Sequence, residues 1–155
     1  MAIVESPETR HWQSFLPIPD EQACRQWVND AIYHNELESR QGYNQAILLE
    51  SSQEAVGWIG WGAPSAPEKG AVDFGYAIVG TARRQNVATE ALQAVIDFNL
   101  GKRGVDSIFG ECAEENVASA RVMQKAGLDL SAAWLDEDGQ AMQRYFLDRA
   151  TWLSR

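Results

Sequence analysis

Asp73-Phe74-Gly75-Tyr76-Ala77-Ile78-Val79-Gly80-Thr81-Ala82-Arg83-Arg84-Gln85-Asn86-Val87-Ala88-Thr89-Glu90-Ala91 is the stretch on which the fold turns. Val72, Phe74, Tyr76 and Ile78 alternate with Asp73, Gly75 and Ala77, the period-two pattern of a β-strand. From Val87 the spacing changes to helical, with Ala88, Ala91, Leu92, Val95 and Ile96 forming one apolar stripe to about Lys102. A short basic loop joins the two. Helix N-termini present backbone N–H groups without internal partners and a positive dipole end, so phosphate groups dock there. Arg83 and Arg84 add charge, which also suits a solvated loop.

Working outward, the segment before the strand predicts a helix and a hairpin. Asp20 is placed to cap a helix running to about Asn35, whose apolar face is Ala23, Trp27, Val28, Ala31 and Ile32. Tyr43–Glu50 and Ala55–Gly62 read as strands joined by Ser51-Ser52-Gln53-Glu54. Gly62–Gly70, with Pro64 and Pro67, is a loop. Residues 1–18 show no clean period and read as an irregular arm. Downstream come a strand at Ser107–Ala113, a helix at Val117–Ala126 ended by Gly127 in the left-handed conformation, and two strands. These span about Asp129–Leu135 and Ala141–Leu147, around the turn Asp136-Glu137-Asp138-Gly139. The order describes one α/β (α+β) domain over residues 1–155 with a mixed sheet.

Composition narrows the function. Thirteen basic and 22 acidic residues give a net charge of -9, which disfavours a nucleic-acid partner and favours approach of cations such as amines. No apolar run reaches the roughly 18 residues of a membrane span, and no signal peptide is recognisable, so no membrane partner and a cytoplasmic location are expected. Cys24 and Cys112 follow no metal-ligand spacing, and His11 and His34 are too few for a histidine-rich site, so no metal is expected.

Two further stretches, Asn116-Val117-Ala118-Ser119 with Lys125-Ala126-Gly127-Leu128, and Leu147-Asp148-Arg149-Ala150-Thr151-Trp152, complete a resemblance. Together with Arg-x-x-Asn-x-Ala at Arg83–Ala88, they resemble the GNAT superfamily of N-acetyltransferases over about residues 20–152. The likeness is greatest to the ribosomal-protein-alanine acetyltransferase (Rim type) group. The superfamily turn reads Gln or Arg, two residues, Gly, one residue, Gly or Ala. Arg83 and Ala88 match it, and Asn86 replaces glycine. Asn is, after glycine, the residue most tolerant of positive φ, so the turn can survive while its side chain crowds a pyrophosphate.

The resemblance implies the GNAT acyl-CoA N-acyltransferase fold, with a mostly antiparallel sheet, helices on both faces, and a first strand and helix missing or abbreviated. A second copy covering the exposed sheet edge, as a homodimer, or a longer native start would account for the short front. It implies acetyl-CoA as co-substrate and direct transfer to a primary amine, either a protein N-terminus or a small cationic molecule. Cofactor contacts fall on Ala77, Ile78, Arg83, Arg84, Gln85, Asn86, Val87, Ala88, Thr89, Asn116 and Ser119. By the same likeness, Asn116 touches the pantetheine arm or acceptor amine and Ser119 lies near the CoA sulfur. Asn116 equally suits a helix N-cap, and Ser119 a small packing residue.

An acceptor ammonium must lose a proton, and Asp73 and Glu111, on the two central strands, are the candidate bases; either also suits a solvated strand face. Tyr145 is a candidate proton donor or a buried structural tyrosine. Cys112 lacks a nearby histidine in sequence and is disfavoured as a nucleophile. Trp58, Trp61 and Trp134 are candidate acceptor-pocket residues, since aromatic faces hold cations. The alternative is a degenerate GNAT-fold binding module without catalysis.

Overall fold

The computed structural model describes residues 5–13, 20–38, 40, 42–64 and 70–155. In order these form α1 (Pro7–Trp12), α2 (Glu21–Glu36), β1 (Gly42–Leu48), β2 (Ala55–Gly62), β3 (Ala71–Ile78), a 3-10 turn (Gly80–Ala82), α3 (Val87–Ile96), a π-helical turn (Asp97–Arg103), β4 (Ser107–Ala113), α4 (Val117–Ala126), β5 (Asp129–Leu135), β6 (Ala141–Asp148) and α5 (Arg149–Leu153). The strands hydrogen-bond in the order β1-β2-β3-β4-β6-β5. The β3–β4 pair is parallel, whereas β1–β2, β4–β6 and β5–β6 are antiparallel, which is the mixed, mostly antiparallel sheet expected. The chain falls into two compact units, Met1–Gly62 with Gly75–Val87, and Ala63–Phe74 with Ala88–Arg155, so that β3 contributes to both.

In the first unit, Asp20 caps α2 as expected, its Oδ1 accepting from the N–H groups of Gln22 and Ala23 at 2.6 and 3.1 Å. The apolar stripe of α2 is less covered than its periodicity predicts. No residue of the helix is buried, and Val28 and Ile32 are about half exposed. Trp27 meets Trp58 edge-on, and Asn35 reaches β1, where its side chain donates to the Asn44 carbonyl at 2.6 Å and accepts from the Asn44 N–H at 2.9 Å. Among the described residues no strand precedes Gly42.

The irregular arm needs correction. Pro7–Trp12 is a helix, N-capped by Ser6 with proline in its first turn and Glu8 at the positive dipole end. Residues 1–4 and 14–18 of that arm lie outside the described residues.

The second unit carries the heavier core. Leu92, Leu100, Ile108, Met123, Leu128 and Leu147 are each almost wholly buried. The helix from Val87 is α-helical only to Ile96 and continues to Arg103 as a π-turn. Within this turn Asn99 is fully buried, and its side chain is satisfied there: the amide donates to the Val95 carbonyl at 2.8 Å and its oxygen accepts from Arg103 at 2.9 Å. Gly104 then closes the turn in the left-handed region. Asn116 and Gly127 bound α4 as the sequence predicts, Gly127 at φ 98°.

Candidate functional site

The expected phosphate turn has a defined backbone. Arg84 and Asn86 both adopt left-handed conformations, with φ of 59° and 68°, while Gln85 between them does not. Alternation of this kind turns successive N–H groups toward one concavity, an anion-binding nest. Among the described residues the N–H groups of Arg84, Gln85 and Asn86 donate no hydrogen bond. Gln85 steadies the loop by donating from its side chain to the Thr81 carbonyl at 2.9 Å. Asn86 therefore takes up the positive φ for which the superfamily uses glycine, and the chain enters α3 at Val87. Arg84 is exposed and forms no ion pair among the described residues, so its charge faces solvent.

Arg83 is different, and its expected contribution of charge to a phosphate is corrected. Its guanidinium pairs with Glu8, donates to Thr9 Oγ1 at 2.9 Å and Ser6 Oγ at 3.4 Å, and uses Nε to reach the Ile78 carbonyl at 3.1 Å. The side chain latches α1 to the end of β3. Only its backbone is left to shape the turn.

The same half of β3 holds Ala77 and Ile78, both buried. Val79 N–H donates to the Val56 carbonyl at 2.8 Å, so by strand alternation Tyr76 and Ile78 direct their peptide groups to the opposite side. The β3–β4 ladder ends at Asp73. Two outward carbonyls are taken by side chains: that of Ile78 by Arg83, and that of Tyr76 by the Gln13 amide. No sequence signal marks Gln13, which stands 63 residues from its partner.

In the second unit, Asp73 and Glu111 lie on paired strands, Asp73 in register with Phe109. Burial, followed by repulsion from Glu111, raises the Asp73 carboxyl above its ordinary value of 3.8; a hydrogen bond from its own backbone opposes this. Glu111 is held by Arg144, opposite it on β6, at 2.7–2.8 Å, and the guanidinium also lies over the Phe109 ring at 4.2 Å. The two candidate bases are thus unequal. Glu111 is committed to a cation, whereas Asp73 carries a proton affinity raised toward that of a useful base.

The shift fixes the sign of a pH effect. An aspartate raised by folding adds stability below its unfolded value, and that stability is lost as pH rises through the folded value. Activity that needs ionised Asp73 should therefore have an acid limb above pH 3.8. Glu111→Gln removes the repelling charge and should move that limb to lower pH; Asp73→Asn should abolish it. A pH profile of kcat/KM checks both, and an unmoved limb in Glu111→Gln would exclude the assignment.

Asn116 caps α4, its Oδ1 accepting from Ser119 N–H at 3.1 Å, so the capping role is realised. The Ser119 hydroxyl bonds Cys112, lowering a thiol whose acidity burial otherwise suppresses more strongly. Burial thus holds the Cys112 thiol above its ordinary value, which makes it a poor source of thiolate. Tyr145 is buried and donates to Gln143 Oε1 at 2.9 Å; burial, then proximity to Cys112, pushes its phenol up. Asn116, Ser119, Cys112, Tyr145 and Gln143 form one polar cluster.

The expected tryptophan pocket is corrected. Trp58 and Trp61, three apart on β2, face opposite sides: Trp58 meets Trp27, and Trp61 stacks on Tyr43 with centroids 5.1 Å apart. Trp134 lies on β5, every residue of which is exposed. His11 and His34 are exposed helix residues. Among the described residues no group of three His, Cys, Asp or Glu could hold a metal, and no helix is long and apolar enough to cross a membrane.

The result is an α+β domain with a mixed six-stranded sheet in which β3 runs through a turn of positive-φ residues into the N-terminus of α3. The chain belongs to the family described as Acetyltransferase (GNAT) domain, whose model matches residues 1–129. It is 30% identical over 86 residues to YjdG of Bacillus subtilis strain 168, described as an uncharacterized N-acetyltransferase; this covers 55% of the chain and 50% of that protein. The match thus spans about half the length of that relative. Among solved structures, an acetyltransferase of the GNAT family from Bacillus anthracis superposes with TM-score 0.80 at 17% identity, covering 96% of this chain and 86% of the other. The aminoglycoside acetyltransferase AAC(6')-Ib, solved with coenzyme A and kanamycin, superposes with TM-score 0.74 at 12% identity over 97% and 88%. At these identities the structures establish the fold.

Proposed function

We propose that this chain transfers the acetyl group of acetyl-CoA directly to a primary amine, either a small cationic molecule or a protein N-terminus. The observation that carries the reading is the Arg84–Asn86 turn, where Arg84 and Asn86 take positive φ and three N–H groups stand without partners among the described residues just ahead of α3. A pyrophosphate supplies the acceptors such a turn requires. Val87, Ala88 and Thr89 extend the donors into the first turn of the helix. Membership in the GNAT family and the coenzyme A bound by AAC(6')-Ib support the same ligand.

In this reading the pantetheine arm runs along Ala77 and Ile78, whose strand supplies backbone donors to the thioester carbonyl as negative charge develops there. Asp73 removes the proton from the acceptor ammonium, directly or through water. The amine nitrogen attacks the carbonyl carbon, the C–S bond breaks, and the thiolate leaves. Ser119 stands near the sulfur and Asn116 turns its amide nitrogen to the pantetheine arm or acceptor. Holding both reactants in line supplies much of the acceleration. A net charge of -9 draws cationic amines toward the protein and suits a cytoplasmic enzyme of this kind.

Thermal unfolding with acetyl-CoA tests the reading. At a hundred times its dissociation constant the ligand should stabilise the fold by about 2.7 kcal/mol. Thiol release against spermidine, kanamycin and a short peptide with a free N-terminus then identifies the acceptor. No thermal shift at millimolar acetyl-CoA would overturn the proposal.

A further inference from the structure

We infer that Glu8 and Thr9 are positioning residues for acetyl-CoA: through the Arg83 side chain they hold the turn Arg84–Asn86 in its binding shape. The inference rests on the acetyltransferase reading above and assigns cofactor affinity to a helix that reading does not use.

The turn needs support from its flanks. Arg84 and Asn86 hold φ of 59° and 68°. Asparagine tolerates that region, whereas arginine is an ordinary L-residue whose Cβ opposes it. Among the described residues the N–H groups of Arg84, Gln85 and Asn86 donate no hydrogen bond that would offset this cost. Two side chains supply the support instead. That of Gln85 donates to the Thr81 carbonyl at 2.9 Å. Arg83, which opens the turn, is tied at both ends of the residue: its N–H donates to the Gly80 carbonyl at 3.3 Å and its Nε to the Ile78 carbonyl at 3.1 Å.

The far end of that side chain is gripped by α1. The guanidinium pairs with Glu8, donates to Thr9 Oγ1 at 2.9 Å and makes a longer contact with Ser6 Oγ at 3.4 Å. Thr9 is buried, so its hydroxyl meets Arg83 away from competing water. A guanidinium is a rigid planar fork, and one engaged along several N–H groups keeps little freedom to swing. Rotating the peptide that leads into Arg84 would drag this fork out of its contacts. α1 therefore braces the turn from one side as Gln85 does from within.

The sign of the effect separates bracing from plain charge. Acetyl-CoA is an anion, so neutralising a carboxylate beside Arg83 would by charge alone tighten its binding, and a freed Arg83 would add to that. Bracing predicts weaker binding from the same change.

The test is titration calorimetry with acetyl-CoA on the full chain, with Tm measured alongside. Glu8→Gln and Thr9→Val should each raise the Kd about five- to tenfold, the scale of one hydrogen bond to a charged group. Thr9→Ser keeps the hydroxyl and should stay within about twofold of the parent chain. Once Arg83→Met has removed the guanidinium, adding Thr9→Val should change the Kd by no more than about twofold, because Thr9 acts only through it. An unchanged Kd in either single variant, even with a lower Tm, overturns the inference for that residue and leaves it a tie that only holds α1 in place. A lower Kd in Glu8→Gln overturns it in favour of plain charge, and a full further loss on adding Thr9→Val to Arg83→Met overturns the route through Arg83. If Thr9→Val does not fold, the exposed Glu8 carries the same comparison, alone and with Arg83→Met. A parent chain that binds no acetyl-CoA defeats the underlying reading; a parent chain that binds it beside indifferent variants defeats the brace alone.

Discussion

Asn86→Val should lower acetyl-CoA affinity by about two orders of magnitude, the scale of losing two charge-assisted hydrogen bonds. Asn86 sits at φ 68°, a region that asparagine visits readily and a β-branched residue almost never does. The left-handed backbone costs roughly 1–2 kcal/mol for an ordinary L-residue. Valine would relieve that strain by turning the backbone over, and the N–H groups of Gln85 and Asn86 would no longer converge with that of Arg84. The companion variant Asn86→Gly separates the two contributions of this position. It keeps the positive φ and removes the side chain, so its affinity should equal or exceed that of the parent. Titration calorimetry with acetyl-CoA reads both. Unaltered affinity in Asn86→Val would remove the turn from the cofactor site.

The second large effect is on stability and lies away from the turn. A Cβ built at Gly57 would stand 2.5 Å from the Ala77 carbonyl oxygen and 2.7 Å from Ile78 Cδ1. The first is backbone and cannot swing aside. Gly57→Val should therefore cost about 3 kcal/mol or more, the upper range for overpacking. For a chain of this length that corresponds to a fall of roughly 6–12 °C in Tm. Gly80→Ala is the control: nothing lies within 4 Å of a Cβ there, and no positive φ is recorded. Its Tm should stay within about 2 °C, as for an unconstrained site. Equal melting of the two variants would show that β2 and β3 can separate without penalty at Gly57.

What could be read from the sequence is what local chemistry determines. α4 begins and ends where predicted, because Asn116 and Gly127 carry its start and stop signals. The positive φ of Asn86 followed from its residue type. α1 was missed although Ser6-Pro7-Glu8 is a good helix start. Its six residues carry no apolar period, and it is held by Arg83 from more than 70 residues away. Arg83 shows the same limit: sequence displays a charge but not the Glu8 that neutralises it. For Asp73 and Glu111 the residue types gave two equal candidates, and only the β4–β6 register, which sets Arg144 opposite Glu111, separates them. Periodicity marked the apolar stripe of α2 correctly but says nothing of how fully it is covered.

The two hydrogen bonds between Asn35 and Asn44 have a consequence for behaviour at high protein concentration. Among the described residues β1 ends the sheet, and an outermost strand with open peptide groups is where fibrillar growth starts. At Asn44 both outward groups are already taken by one side chain from α2. An incoming strand would have to expel Asn35 before it could align with this stretch. The helix thus guards this part of the strand against templated aggregation.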